Sequence, residues 1–243
     1  MKKVIAVFAN SIKHHKHCVA GKDVATNEWV RAVSDANGTE LTDDQCKSAN
    51  PHGEFRAKPL QKIEMEFVAH APLLHQPENF VISNARWQQK YTLKPDEITA
   101  FLDHPETLWG MENKVDYSAI ATNQLEIEQS LYLIKVENVK FHVTTNAKRK
   151  ISFIYNGNHY DLPVTDPQFD ELLNNKLQHQ EILCVSLGEE FQGYCYKIVA
   201  TILCDTIPYK QKVKSGNRYY EDGGDDREYL GDGVWIHSED CWW

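Results

Sequence analysis

The sequence predicts a mainly β protein with short helices, folded as two small β-barrels in tandem that are joined by a short helical connector. Short apolar segments separated by turn signals fill both halves of the chain, a pattern typical of small antiparallel barrels. The middle, near residues 95–120, has helical composition instead. Neither half alternates strands with long helices, and no GxGxxG motif follows the first strand, so a doubly wound nucleotide-binding fold is not predicted.

The first half contains several segments with the composition of strands. Residues 4–8 (VIAVF) are continuously apolar and predict a buried strand, and residues 60–69 alternate between apolar and charged positions, as a half-buried strand does. Further strands are predicted at residues 17–20 and 28–33, divided by a turn at 21–23, and residues 42–55 are predicted to form a polar loop.

The second half returns to strands after a helix start at Lys94-Pro95. Residues 130–139 alternate, residues 151–155 and 158–162 flank the hairpin signal Asn156-Gly157, and residues 166–173 indicate a short helix. The β-branched segments 182–187 and 195–203 are predicted to be central strands. We therefore expect a first barrel over residues 1–94, a connector over 95–124, a second barrel over 125–208 and a C-terminal extension over 209–243.

Charge is distributed unevenly along the chain. The net charge is −9, and residues 215–243 hold two basic and eight acidic residues, so the remainder is close to −3. Non-specific duplex binding needs many basic contacts to phosphate, and this composition makes it a poor candidate. A local basic groove or a small-ligand site is still permitted.

The six cysteines lack CxxC spacing, which favours reduced thiols over a disulfide framework. No apolar run approaches the roughly 20 residues of a membrane span, and the N-terminus resembles a first strand more than a signal peptide. We therefore expect a cytoplasmic protein that does not enter a membrane.

The segment from Ser11 to Lys22 combines hydrogen-bond donors, imidazoles and a thiol beside the first strand. Hydroxyl and ammonium groups donate to phosphate, and a glycine lets the backbone approach closely, so the segment predicts an anion site. The candidate residues are Ser11, Lys13, His15, His17, Gly21 and Lys22. A polar, solvent-exposed loop is the alternative.

A zinc site is a second alternative for this segment, because His15 and His17 share a strand face and Cys18 is a good ligand. Four ligands at useful spacing are not visible in the sequence. The sequence therefore predicts neither a metal nor a cofactor.

Trp29 and Arg31 are two residues apart and lie on one face of the predicted strand. If this face is exposed, it offers a stacking platform beside a phosphate-binding group. If it is buried, Trp29 belongs to the barrel core and Arg31 to its rim.

The segment His75-Gln76-Pro77-Glu78-Asn79 places an imidazole, two amides and a carboxylate within five residues. The amides of Gln76 and Asn79 are able to read base edges, whereas His75 and Glu78 form a candidate acid–base pair. A structural turn accounts for the same residues.

Ser186 and Lys197 resemble a nucleophile–base pair only superficially, because neither GxSxG nor SxxK is present. We expect Lys197 to reach the barrel rim or to pair with Glu189 or Glu190.

The chain resembles the bacterial dual OB-containing domain proteins over roughly residues 4–205. The motifs that carry the resemblance are Ser11-x-Lys13, Cys18-x-Ala20-Gly21, Trp29-x-Arg31, His75-Gln76-x-Glu78-Asn79, Leu162-Pro163-Val164-Thr165-Asp166-Pro167, Val185-Ser186-Leu187-Gly188-Glu189 and Tyr196-Lys197. The resemblance implies two OB-like barrels and a nucleic-acid or nucleotide-binding role.

The leading hypothesis is a binding module for single-stranded nucleic acid or a nucleotide-like ligand. In it Lys13, Lys22 and Arg31 contact phosphate, Trp29 stacks, and Gln76 and Asn79 read bases. One alternative is a nucleotide- or nucleic-acid-processing enzyme that uses His75 and Glu78. The other is a protein–protein adaptor whose partner binds the acidic, aromatic extension 209–243, which ends in Cys241-Trp242-Trp243.

Overall fold

The structure is a computed structural model that describes residues 1–13, 16–174, 182–203, 227–229 and 235–237. Eight strands make up the first half: β1 (Lys2–Lys13), β2 (Lys16–Asp23), β3 (Trp29–Val33), β4 (Lys47–Asn50), β5 (Gly53–Arg56), β6 (Gln61–His70), β7 (Asn79–Ile82) and β8 (Trp87–Thr92).

Five of these strands close into a barrel. Their order is β1-β2-β3-β7-β6, and pairing of β1 with β6 completes the ring. All neighbours in the ring are antiparallel except β3 and β7, which are parallel. The remaining strands β8, β4 and β5 extend the sheet outward from β6.

The apolar start of the chain is explained by burial of β1 on both faces. Ile5 and Val7 point into the barrel, where they pack with Val19, Ile63 and other residues of its core. Ala6 and Phe8 point outward into a separate buried cluster. A strand covered on both sides reads as a continuous apolar run, which is what residues 4–8 show.

The middle and the second half follow as a 3₁₀ helix (Pro95–Phe101), β9 (Lys114–Asp116), α1 (Tyr117–Ala121), β10 (Leu131–Lys135), β11 (Glu137–Val143), β12 (Arg149–Tyr155), β13 (Asn158–Pro163), α2 (Phe169–Asn174), β14 (Ile182–Phe191) and β15 (Tyr194–Leu203). The predicted helix start at Lys94-Pro95, the hairpin at Asn156-Gly157 and the central position of the last two strands are confirmed. The helix predicted over residues 166–173 is present as α2 but begins only at Phe169.

The second half repeats the strand connectivity of the first barrel. The nearly continuous pair β10–β11 contacts β14 at one end and β12 at the other, and β12 pairs with β13. A parallel bridge between Val164 and Val199 links the end of β13 to β15. Helix α2 lies between the third and fourth strands of this ring, and its residues Phe169 and Leu172 pack into the core.

The two halves share a hydrophobic core. Phe8, Ala20 and Trp29 from the outer face of the first barrel pack with Leu131 and Cys184 of the second. Ile98 and Phe101 of the 3₁₀ helix complete the same cluster. The interface is therefore a packed layer of apolar side chains between two sheets.

Three local predictions were wrong. Gly21, Lys22 and Asp23 belong to β2, and the chain turns at residues 24–27 instead. The predicted loop over residues 42–55 contains the hairpin of β4 and β5, whose polar and mostly accessible residues give no alternation to detect. Lys197 is also placed differently, because it is fully buried and its Nζ donates to the carbonyl oxygen of Gly110 at 2.8 Å.

Four cysteines lie in the described ranges, and all four are free thiols: Cys18, Cys46, Cys184 and Cys195. None of the helices in these ranges has the length and apolar character that a bilayer-spanning helix requires. Most of the extension 209–243 lies outside the described residues, apart from an antiparallel pair, β16 (Arg227–Tyr229) and β17 (Trp235–His237). The proposed domain boundaries stay predictions.

Candidate ligand-binding site

The predicted stacking face of the first barrel is buried against the second half. Trp29 is 5% exposed, and its Nε1 donates to Asp103 Oδ2 at 3.0 Å. Lys22, opposite Trp29 on β2, forms an ion pair with the other oxygen of Asp103 at 2.7 Å. The burial of this face favours the core interpretation of Trp29 over the stacking platform.

Arg31 is the centre of a polar network between the two halves. Its Nε lies 3.1 Å from Glu78 Oε1, and one terminal nitrogen donates to Ser130 Oγ at 2.7 Å and to Ser186 Oγ at 3.3 Å. The other terminal nitrogen donates to Cys18 Sγ at 2.8 Å. Burial opposes the charge of Arg31, but Cys18 and Glu78 attract it more strongly and raise the pKa of the guanidinium.

Glu78 has its hydrogen bonds inside the same network. Besides Arg31, it accepts from the backbone N–H of Ser130 at 3.1 Å and from the hydroxyl of that residue. His75 is half-buried, with its ring edge-on to Tyr117. Burial lowers the pKa of His75 more than nearby Glu189 raises it. The structure therefore gives Glu78 a role in joining the halves, and the acid–base hypothesis for the two residues stays a prediction.

Gly21, Gln76 and Asn79 are also buried. A Cβ at Gly21 would lie 2.1 Å from the carbonyl oxygen of Ala6, so this glycine allows close pairing of β1 and β2. The amide of Asn79 donates weakly to Gln76 Oε1 at 3.5 Å. These contacts are structural in kind, and base reading by the two amides stays a prediction.

The remaining candidates lie at or near the β1–β2 connection. Ser11 is half-buried and pairs across the strands with Cys18, and His17 is buried at the start of β2. The backbone of Lys13 ends β1, and His15 lies outside the described residues.

A cavity of about 190 Å³ opens between the halves. Asn10, His17, Arg56 and Lys58 contribute its polar groups from the first half, and Asp166 contributes a carboxylate from the second. Burial raises the pKa of Asp166 to about 6. Of the sequence candidates whose side chains the structure describes, His17 alone lines this cavity.

The outer face of the sheet β11-β12-β13 was missed by the sequence analysis. Its outward side chains include Glu137, Lys140, His142, Lys150, Ser152, Ile154, His159 and Asp161. Residues 135–150 carry five basic residues and one acidic residue, in a chain whose net charge is −9. This local excess of Lys and Arg is the sequence feature that could have pointed to the face.

This face carries more basic than acidic groups. One acid, Asp161, is paired with Lys150 at 2.6 Å and lies 3.2 Å from His142 Nε2, and the other, Glu137, is exposed. Lys140 and His159 are exposed beside it, and exposed Lys148 lies in the β11–β12 loop. The face is therefore open to solvent with a small excess of positive charge, whereas the corresponding face of the first barrel is buried.

The closed ring with one parallel strand pair, and its repetition in the second half, define a protein with two OB-type barrels. The chain belongs to the dual OB-containing domain family, whose sequence profile matches residues 3–202. No curated protein and no solved structure matches the chain. Membership of an OB-containing family is consistent with a binding module.

Proposed function

We propose that the protein binds single-stranded nucleic acid along the outer face of β11, β12 and β13. OB folds bind oligonucleotides on the face of their second and third strands and on the adjoining loops. In the second barrel these are β12, β13 and residues 144–148. The observation that carries the proposal is that this face is exposed and basic, whereas Trp29 and Arg31 on the equivalent face of the first barrel are buried.

Phosphates are the groups that Lys140 and Lys148 are placed to contact, because both are exposed, Lys140 in the middle of β11 and Lys148 in the loop that follows this strand. The imidazole of His159 adds a flat exposed ring on the same sheet. A binding mode with few basic contacts predicts moderate affinity and a shallow salt dependence. The acidic balance of the whole chain agrees with selectivity for single strands over duplex.

The experiment is fluorescence anisotropy with labelled single-stranded DNA and RNA at two salt concentrations. The double variant Lys140→Ala/Lys148→Ala should bind more weakly, and the slope of log K against log salt should fall by about 1 for each lost contact. The matched control, Lys2→Ala/Lys90→Ala, removes the same charge from the first barrel. Equal loss in both variants, or no binding by the wild type at low salt, contradicts the proposal.

Arg31 is not a suitable test residue for this function. Because it is buried and has four side-chain partners, its removal would change folding and binding together.

A nucleotide-like ligand in the cavity between the halves is the second candidate. The observation in its favour is that Arg56 and Lys58 line a concave site together with the amide of Asn10. Arg56→Ala/Lys58→Ala should then abolish binding of a fluorescent adenosine triphosphate without changing oligonucleotide binding. The adaptor role of residues 209–243 and the cytoplasmic location stay predictions.

A further inference from the structure

Three metal-ligand side chains from separate parts of the first barrel converge beside the cavity. The ligand atoms of His17, Asp43 and Cys46 all lie within 4.8 Å of one another. His17 and Leu41 exchange backbone hydrogen bonds of 2.7 and 2.9 Å, which hold the start of β2 against the turn before β4. His17 and Cys46 are almost completely buried.

The orientation of His17 is fixed by Asn10. The Nδ2 of Asn10 donates to the carbonyl oxygen of Ala57, so its Oδ1 is the atom that faces His17 Nδ1 at 3.2 Å. An amide oxygen only accepts, and Nδ1 must therefore carry a proton. The Nε2 atom is left facing Asp43 Oδ1 at 3.5 Å.

The same carboxylate oxygen, Asp43 Oδ1, accepts from Arg56 Nε, so a metal ion bound here would take the place of the guanidinium. Partial burial raises the pKa of Asp43, but Arg56 and Lys47 together lower it by more. Cys46, whose Sγ donates to the backbone oxygen of Asp43 at 3.1 Å, supplies the third ligand atom of the cluster.

We propose that His17, Asp43 and Cys46 bind a Zn²⁺ ion, with a fourth coordination position open toward the cavity between the halves. Nitrogen, sulfur and oxygen ligands together suit this borderline-soft cation, and three protein ligands with an open position are typical of zinc sites that bind water or substrate. His17 lines both the cluster and the cavity. The hydrogen bond from Nδ1 to Asn10 is the support that a metal-bound histidine usually has.

The cationic side chains that contact Asp43 are able to give way to a metal ion. Arg56 and Lys47 both contact Asp43, and their side chains are 49% and 31% exposed. Such surface ion pairs are weak, so both cations are able to turn toward solvent when the metal binds. Zinc–ligand bonds of about 2.0–2.3 Å require the cluster to contract by roughly 1 Å.

The experiment is titration of chelator-treated full-length protein with Co²⁺ and then Zn²⁺. We expect one equivalent of Co²⁺ to produce the near-ultraviolet band of a thiolate–cobalt bond, and Zn²⁺ to displace it. Burial raises the pKa of Cys46 to about 11, so zinc binding should also release a proton from its thiol. Asn10→Ala should weaken zinc binding about 10–100-fold, as loss of a supporting partner does.

Two ligand variants and one control decide the outcome. Cys46→Ala should remove the band, and Asp43→Asn, at a half-exposed position that leaves the core intact, should remove stoichiometric binding. Cys184→Ala, which alters another buried free thiol outside the cluster, should change neither. Binding that survives in both ligand variants would place the metal elsewhere and overturn the proposal, as would no binding by the wild type.

Discussion

Arg31 shows how a residue type associated with ligand contact becomes part of an interface. Its guanidinium reaches Cys18 and Glu78 in the first half and Ser130 and Ser186 in the second. A buried guanidinium is tolerated only when its charge and its donors are satisfied, and this network does both. The network therefore matters to stability mainly because removing one of its members leaves a buried charge or donor without a partner.

The first prediction is that Glu78→Gln lowers the free energy of unfolding by about 3–5 kcal/mol, because Arg31 is left buried without its counter-charge. Urea denaturation measures the change. The double variant Arg31→Met/Glu78→Met should recover part of this loss, since it removes both charges. A loss below about 1 kcal/mol for Glu78→Gln would be typical of a surface pair and would contradict this account.

The second prediction concerns Lys197, whose pKa is lowered by burial from 10.5 to about 8. Between these values the unfolded chain binds more protons than the native one, so Lys197 makes stability rise with pH over this range. Relative to Lys197→Met, the wild type should gain about 3 kcal/mol from pH 8 to pH 10.5. Unfolding curves that keep a constant difference between the two proteins across this range would contradict the prediction.

At the residue scale, sequence reasoning found which side chains share a face but not what covers that face. Trp29 and Arg31 do lie on one side of β3. Their partners Asp103, Ser130 and Ser186 are at least 70 residues away in the chain. No local pattern carries that information, and the sequence left burial and exposure equally open.

At the scale of elements, β2 departs most clearly from the predicted pattern. Gly21-Lys22-Asp23 has turn composition, yet each of these residues makes a tertiary contact that fits it to a strand. Gly21 fits against the backbone of Ala6, Lys22 pairs with Asp103, and Asp23 pairs with Lys3 at 2.7 Å. Tertiary contacts therefore override local propensity here.

The third prediction is that Gly21→Ala destabilises the protein by at least about 1–3 kcal/mol, because its methyl group would overlap the backbone of β1. Thermal unfolding measures the loss. Gly193→Ala is a useful contrast, since Gly193 has open space around its Cβ position and only its positive φ of 84° opposes the change. A smaller loss for Gly21→Ala than for Gly193→Ala would refute the packing argument.

Strands with an apolar face were predictable, and strands without one were not. The alternation of residues 60–69 and the apolar runs of β14 and β15 led to elements that the structure contains. Strand β5 is exposed along its whole length, so its sequence records no burial. The same limit applies to the basic face of β11–β13, because its charged residues have no period that marks a binding site.

For the whole molecule, the shared core between the barrels matters most. Phe8 and Trp29 from the first barrel and Leu131 and Leu133 from the second are buried in one cluster. Separating the barrels would expose these side chains and the polar network around Arg31 together. The two barrels are therefore expected to depend on each other for stability.

The fourth prediction is a single cooperative unfolding transition for both barrels. Calorimetric and van't Hoff enthalpies should agree, and probes in either half should report the same midpoint. Trp109 fluorescence for the second half and Trp87 for the first provide such probes in single-tryptophan variants. Two resolved transitions would show that the barrels are independent units.

Burial of one OB face against its neighbour also has a consequence for how such a chain can diverge. Positions 29, 31, 78, 103, 130 and 186 form a mutually dependent set, so a change at one of them is tolerated only with compensating changes at others. Positions 140, 148 and 159 are exposed and are free to vary singly. Substitutions can thus accumulate on the exposed face of one barrel without a loss of folding, whereas the buried face of the other holds the architecture constant.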